Sequence, residues 1–246
     1  MNVNGRLAKA YYLFKANLIN IVLLVFVVFF INSIIGSYVT SILQGASEPS
    51  AIIAVIYSFI VAIGSAVITI FTCFVGANHA SGKVSFESFV EKFKENKYTI
   101  VKLYLLYFLA TIATSFLLII LSMVSKGLMS SGGMRPIGFF IVVDIIISVF
   151  LYTALFFVFS GNRGFGGTLK YSFSCIKDNV PAIIGIVIIL YFITQIRLGS
   201  IQYISGIGDT DVTEFFSRSI LRIAHIFIYL FLFQYYISWS QKDKQL

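Results

Sequence analysis

The sequence has little charge and few of the residues that carry hydrolytic or metal chemistry. Only 11% of its 246 residues are charged, whereas about a quarter of an ordinary soluble domain is charged. Two cysteines and two histidines are too few for a disulfide framework or an ordinary structural zinc site. The phosphate-loop, nucleophile-elbow, H-E-x-x-H and C-x-x-C patterns are all missing. We therefore expect neither a cofactor nor a metal site, and no enzymatic activity.

Apolar residues make up most of what is present. They account for 59% of the chain, and the mean hydropathy is +0.95. A helix needs about 20 mostly apolar residues to cross a bilayer, and six segments meet that requirement. The sequence thus predicts an all-α, polytopic membrane protein, with residues 1–246 forming a single integral membrane domain. The predicted spans are Leu18–Val39, Ala51–Gly76, Tyr98–Met123, Pro136–Ser160, Pro181–Leu198 and Ile220–Trp239.

The net charge of +8 is distributed between the apolar segments rather than on a soluble face. Most of the Lys and Arg residues fall at the N-terminus, in the second and fourth connections and in the C-terminal tail. The positive-inside rule then places both termini in the cytoplasm. This pattern favours contact with anionic lipid headgroups over nucleic acid. We expect a multi-pass protein of the plasma membrane, in a bacterium.

An internal repeat of about 80 residues begins each pair of spans. Lys-x-Asn occurs at the start of the first, third and fifth predicted spans, and an apolar stripe at helical spacing precedes it each time. The stripes indicate three amphipathic helices lying in the headgroup plane, giving units of about 5–80, 81–165 and 166–246. The lysines are predicted to face headgroups or a partner, and the asparagines to satisfy backbone groups where each span begins. These residues are Lys15, Lys94 and Lys177, and Asn17, Asn96 and Asn179.

The repeated pattern resembles a known membrane domain. The stretches concerned are Tyr11-x-x-Phe14-Lys15-x-Asn17, Phe86–Asn96 and Ser172-Phe173-x-x-Ile176-Lys177-x-Asn179. They are similar to the six-span domain appended to some bacterial glycerophosphodiester phosphodiesterases, and to related stand-alone bacterial membrane proteins of unknown function. The resemblance covers nearly the whole chain and implies a six-span fold in a bacterial plasma membrane. It does not imply the phosphodiesterase activity, because no stretch outside the spans is long enough to hold that catalytic domain.

Asp144 is the one acidic residue deep within a predicted span. An intramembrane carboxylate is costly unless it is paired, so it is a candidate functional group. Arg222 and His225 lie at a similar depth in the sixth predicted span, and we expect an Asp144–Arg222 pair with His225 as a titrating neighbour. This polar cluster has two interpretations. It could be functional, as an ion or proton-coupled pathway or as a cavity that recognises a polar group, or it could be a structural pair that joins the fourth and sixth spans.

The sequence favours a non-enzymatic plasma-membrane protein with an accessory or protective role, such as immunity against a membrane-active peptide or envelope homeostasis. One alternative is the permease subunit of a transporter that works with a separate cytoplasmic ATPase, bound at the Ser81–Lys97 segment. The other is a stand-alone ion- or proton-coupled transporter that uses Asp144. The expected partners are therefore the lipid bilayer and, depending on the role, a peptide or an ATPase.

Overall fold

The chain is helical throughout the part described by its computed structural model, which comprises residues 3–45, 51–78, 82–128, 136–161, 164–204 and 210–243. Seven α-helices and no strands occur in those ranges, which confirms the all-α prediction. The helices are α1 (Val3–Gly45), α2 (Ala51–Ala77), α3 (Phe86–Leu128), α4 (Pro136–Ser160), α5 (Phe165–Asp178), α6 (Val180–Ile204) and α7 (Thr210–Asp243).

Five or six of these helices are suited to crossing a membrane. Among the described residues, α1, α2, α3, α4 and α7 each contain a sufficiently long apolar stretch. The sixth candidate is the bent pair α5–α6, whose two helices meet at 89°. These features fit a multi-pass membrane protein, and each predicted span overlaps one of the observed helices.

The amphipathic segments differ from the prediction in the first two units. The segments before Asn17 and Asn96 belong to the same unbroken helices as the spans that follow them, α1 and α3. Only the third segment forms a separate helix, α5. Pro181 explains the difference, because proline has no N–H to donate to the carbonyl oxygen of Lys177 and its ring would clash with that carbonyl in a continuous helix. No proline follows Asn17 or Asn96 at the corresponding position. A separate amphipathic helix was thus expected three times and is found once, as α5.

The two long helices exceed the thickness of a membrane. Each of α1 and α3 contains 43 residues, which corresponds to about 65 Å of helix. The hydrocarbon core of a bilayer is only about 30 Å thick. Part of each helix must therefore extend beyond the hydrocarbon or tilt strongly within it.

The helices α2, α4 and α7 supply most of the interior. The apolar stretches of α2 and α4 are 50% and 56% buried within the protein, whereas those of α1 and α3 are 17% and 11% buried. α1 packs against α7 and α2, α3 packs against α4, and α6 packs against α7 and α4. The outer helices consequently present apolar side chains outward, as lipid-facing helices do.

Among the side chains that the structure describes, the buried apolar core gathers towards one end of the bundle. It combines the last turns of α2 and α4 and the second half of α7 with the early parts of α1, α3 and α6. Aromatic rings dominate it, and Phe156 stacks on Phe233 with ring centroids 4.9 Å apart. Gly76 lets α2 approach this cluster closely, because a Cβ atom there would overlap the Phe233 ring.

Candidate functional site

Arg222 is the centre of a polar network between α7 and α2. Its Nη2 donates to the backbone oxygen of Ser65 at 3.3 Å and to Thr69 Oγ1 at 3.1 Å. The Thr69 hydroxyl also binds the Ser65 carbonyl at 3.0 Å and the hydroxyl of Tyr152 on α4 at 3.2 Å. The network therefore links three helices through one guanidinium and two hydroxyl groups.

Asp144 does not join this network, contrary to the predicted pair. Among the side chains that the structure describes, Asp144 and Arg222 form no ion pair with each other. Asp144 instead lies on an exposed face of α4, within electrostatic range of Tyr107 on α3. Arg222 also lies within electrostatic range of Tyr107, but its hydrogen bonds go to the Ser65 carbonyl and the Thr69 hydroxyl of α2. α7 packs more extensively against α2 than against α4.

His225 also makes its contact elsewhere. Its Nδ1 lies 2.8 Å from the carbonyl oxygen of Leu221, one turn earlier on the same helix. Of the three residues in the predicted intramembrane cluster, Arg222 and His225 thus lie on α7, whereas Asp144 lies on the side of α4 that faces α3. A role for Asp144 in transport stays a hypothesis that does not depend on an Arg222 partner.

Two Thr–Tyr pairs in the core were missed by sequence reasoning. Thr69 bonds to Tyr152 at 3.2 Å, and Thr153 bonds to Tyr236 at 2.8 Å. Both pairs are separated by 83 positions in the chain, close to the length of the predicted repeat. Tyr152 also stacks face to face on Tyr229, with centroids 3.5 Å apart. A search for polar residues recurring at the repeat length could have found the Thr–Tyr pairs.

Asn17 holds the connection between α2 and α3. Its side-chain amide donates to the Gly82 carbonyl at 2.7 Å and to the Leu13 carbonyl at 2.9 Å, while its Oδ1 accepts from the Val84 N–H at 2.9 Å. Gly82 has a φ of +69°, a conformation that glycine adopts without strain. Asn17 therefore clamps a distant connection to α1 rather than marking the start of a span.

The other two predicted asparagines share one feature with Asn17. The amide of each bonds to the carbonyl oxygen four residues earlier, as Asn96 does with Lys92 at 3.0 Å and Asn179 with Cys175 at 2.8 Å. Asn179 alone lies at a helix junction, since its backbone N–H binds Ile176 and its carbonyl accepts from the N–H of Ile183. All three side chains therefore satisfy a backbone carbonyl, but only Asn179 does so where one helix ends and the next begins.

The predicted headgroup-facing lysines are exposed at all three positions. Lys15, Lys94 and Lys177 each follow an exposed apolar side chain four residues earlier. Those apolar side chains are Tyr11, Val90 and Phe173, which are 57%, 44% and 63% exposed. Each of the three predicted units thus has an exposed apolar side chain one turn before an exposed lysine.

The described residues offer little that could hold a metal ion. They contain no cluster of three or more His, Cys, Asp or Glu side chains with suitable geometry. Cys73 and Cys175 are both buried and not disulfide-bonded. The network around Arg222 consists of hydroxyls, a backbone carbonyl and one guanidinium, which suit contacts between helices.

Comparison with known proteins adds no relative. No family profile matches the chain, and no curated protein or solved structure gives a significant match. The resemblance to the six-span phosphodiesterase-associated domain accordingly stays a prediction from the sequence.

Proposed function

We propose that the protein is a non-enzymatic, multi-pass plasma-membrane protein of a bacterium, with an accessory or protective role at the inner leaflet. The observation that carries this proposal is the recurring surface at Lys15, Lys94 and Lys177. At each position an exposed lysine follows an exposed apolar side chain and precedes an asparagine with the same local hydrogen bond. Such a combination suits attachment to anionic headgroups.

The interior supports a structural use of the polar groups. Arg222, Thr69 and Tyr152 bond to one another or to backbone across helices, and Thr153 bonds to Tyr236. Polar side chains inside membrane proteins commonly stabilise helix packing through such bonds. These contacts favour a stable scaffold over an ion pathway.

The proposal includes three repeat units and both termini in the cytoplasm. The two Thr–Tyr pairs of equal separation and the three asparagine contacts support the repeat. Single cysteines at Lys94 and at Ser131, which lies outside the described residues, test the orientation. A membrane-impermeant maleimide added to intact cells should label position 131 and spare position 94. The reverse labelling would overturn the topology.

A tolerance assay tests the protective role. The full chain is expressed in a sensitive bacterial host, and growth is measured against a panel of membrane-active peptides. We expect the inhibitory concentration of at least one peptide to rise several-fold, and we expect replacing Lys15, Lys94 and Lys177 together with Gln to remove that gain.

The matched control replaces three exposed lysines at non-equivalent positions with Gln: Lys9, Lys83 and Lys102. It changes the net charge equally and should retain the tolerance. Equal loss in both triple variants would attribute the effect to overall charge and contradict the proposed surface. No gain with any peptide would count against immunity.

One observation favours the permease alternative. The first turns of α3 carry exposed Val90 beside the charged residues Glu87, Glu91 and Lys94, and such a patch could receive an ATPase. A mild-detergent pull-down of the tagged protein from its native membrane, followed by mass spectrometry, tests this alternative. A stoichiometric ATPase that is lost in Val90→Asp would support it, and its absence would leave the accessory role ahead.

The position of Asp144 keeps the lone-transporter alternative testable. This carboxyl has no ion-pair partner among the described residues. Proton flux into proteoliposomes, followed with a pH-sensitive dye, should then exceed that of empty vesicles and fall in Asp144→Asn. Equal flux in both proteins would exclude this role for Asp144.

A further inference from the structure

An apolar groove lies on the seam between α3 and α4 and reaches α5. Its volume is about 320 Å³, at the lower end of the range for ligand sites. The one hydroxyl in its lining, that of Tyr107, interacts with Ser148 and Thr111. The groove otherwise presents carbon atoms from side chains that include Leu106, Ala110, Ile146, Phe150, Ala154 and Phe173.

The orientation of α5 places its outer face at the end of this groove. Thr168, Ser172 and Cys175 form the buried face of the helix. Asp178, at its C-terminal end, accepts a hydrogen bond from Trp239 Nε1 at 2.7 Å. Phe173 projects from another face, contacting Phe150 with ring centroids 4.8 Å apart. Because α5 meets α6 at 89°, it lies along the membrane surface when α6 crosses the bilayer.

Two cations flank Phe173 on the same helix face. Lys170 and Lys177 lie three residues before and four residues after it, spacings that place side chains together on a helix. Both lysines are exposed, and neither forms an ion pair with another described residue. An anion held beside them would lie directly next to the groove.

We propose that the groove binds one acyl chain of an anionic phospholipid whose phosphate lies against Lys170 and Lys177. The apolar walls match the chain, and the two ammonium groups match the headgroup charge. Lysine stems also lie readily along apolar surface while their charged ends reach the phosphate. This inference rests on the multi-pass arrangement within the proposed function, but not on the protective role.

Photocrosslinking in vesicles tests the site. The full chain is reconstituted in phosphatidylcholine containing a minor fraction of phosphatidylglycerol with a diazirine in one acyl chain, and labelled peptides are identified by mass spectrometry. We expect concentrated labelling within residues 103–110 and 146–154. Ala110→Phe should strongly reduce it by filling the groove. Leu109→Phe is the matched control, because Leu109 is 55% exposed on the same helix and does not line the groove.

The headgroup contact is tested with the double variant Lys170→Gln/Lys177→Gln. It should reduce the preference for phosphatidylglycerol over an identical phosphatidylcholine probe by on the order of tenfold. Lys9→Gln/Lys83→Gln, which removes two exposed lysines outside the proposed headgroup surface, should leave that preference unchanged. No preference between the two probes in the unmodified protein would overturn the headgroup assignment.

Equal labelling of Ala110→Phe and Leu109→Phe would show that the crosslinked acyl chain belongs to the bulk lipid around the protein. That result would overturn the groove assignment. If Ala110→Phe fails to fold, Ile146→Trp provides the second test, because Ile146 lines the groove and is already 52% exposed. Crosslinking does not depend on tolerance to peptides, so failure of the lipid site and failure of the protective role are distinguishable. A chain that does not incorporate into vesicles would contradict the multi-pass arrangement itself.

Discussion

The hydroxyl groups of Thr153 and Tyr236 lie 2.8 Å apart in the buried centre of the bundle, joining α4 to α7. Thr153 directly follows Tyr152, which makes the corresponding bond to Thr69 on α2. The three inner helices are therefore connected in series by one kind of contact. Hydrogen bonds of this type between membrane helices contribute about 0.6 kcal/mol on average and up to about 1.7 kcal/mol.

A double-mutant cycle on Thr153→Val and Tyr236→Phe should detect this contact. Both substitutions keep the shape of the side chain and remove a hydroxyl group. We expect a coupling free energy of about 1 kcal/mol in SDS unfolding from mixed micelles. Purely additive effects would show that the two hydroxyl groups do not interact in the membrane protein.

Asn17→Ala should be more destabilising than its counterpart Asn96→Ala. Asn17 makes bonds to Leu13, Gly82 and Val84, and its loss leaves buried backbone groups without a partner. We expect the free energy of unfolding to fall by about 2–4 kcal/mol, against about 1 kcal/mol for the single local bond of Asn96. Hydrogen exchange of the Val84 N–H should also accelerate in Asn17→Ala, and similar losses in the two variants would contradict the clamp.

Gly76→Ala should destabilise the bundle although alanine is the better helix former. The added methyl group would overlap the Phe233 ring, and overpacking of this kind costs about 1–3 kcal/mol. A methyl group at Gly185 would instead project into open space, so Gly185→Ala should cost nothing or gain up to about 1 kcal/mol. Phe233→Leu should reduce the penalty of Gly76→Ala when the two are combined.

Arg222 and Asp144 should contribute independently to stability. Arg222→Gln removes charge-assisted bonds to Ser65 and Thr69, for which we expect a loss of about 1–3 kcal/mol. Asp144→Asn removes no ion pair, so its effect should stay within about 0.5 kcal/mol. The double variant should equal the sum of the two. A coupling free energy above about 1 kcal/mol between the two substitutions would instead support the predicted Asp144–Arg222 interaction.

The spans were predictable because each depends on a single, local property. A run of about 20 apolar residues is visible without knowledge of its neighbours, and all six predicted segments overlap observed helices. The break at Asn179 was also visible, since Pro181 lies two residues later. Treating Asn17 and Asn96 as equivalent to Asn179 was wrong, because the asparagine was weighted more heavily than the proline that ends the helix.

The polar contacts were less predictable because they depend on helix rotation. Depth along the spans suggested that Asp144 could meet Arg222, but depth does not specify which face of α4 or α7 points inward. The packing of α7 against α2 directs the guanidinium to Ser65 and Thr69. Similarly, the partner of Asn17 lies 65 and 67 positions away at Gly82 and Val84, and no pattern within its own segment indicates that contact.

The clamp at Asn17 affects how the protein folds while it is being synthesised. A ribosome delivers α1 before the segment of Gly82 and Val84 exists, so the amide of Asn17 is already in place when that segment emerges. The first helix therefore acts as a template on which the following connection closes, and it sets the point at which α3 enters the bundle. A chain assembled from two separately synthesised fragments would have to find this contact by diffusion within the membrane.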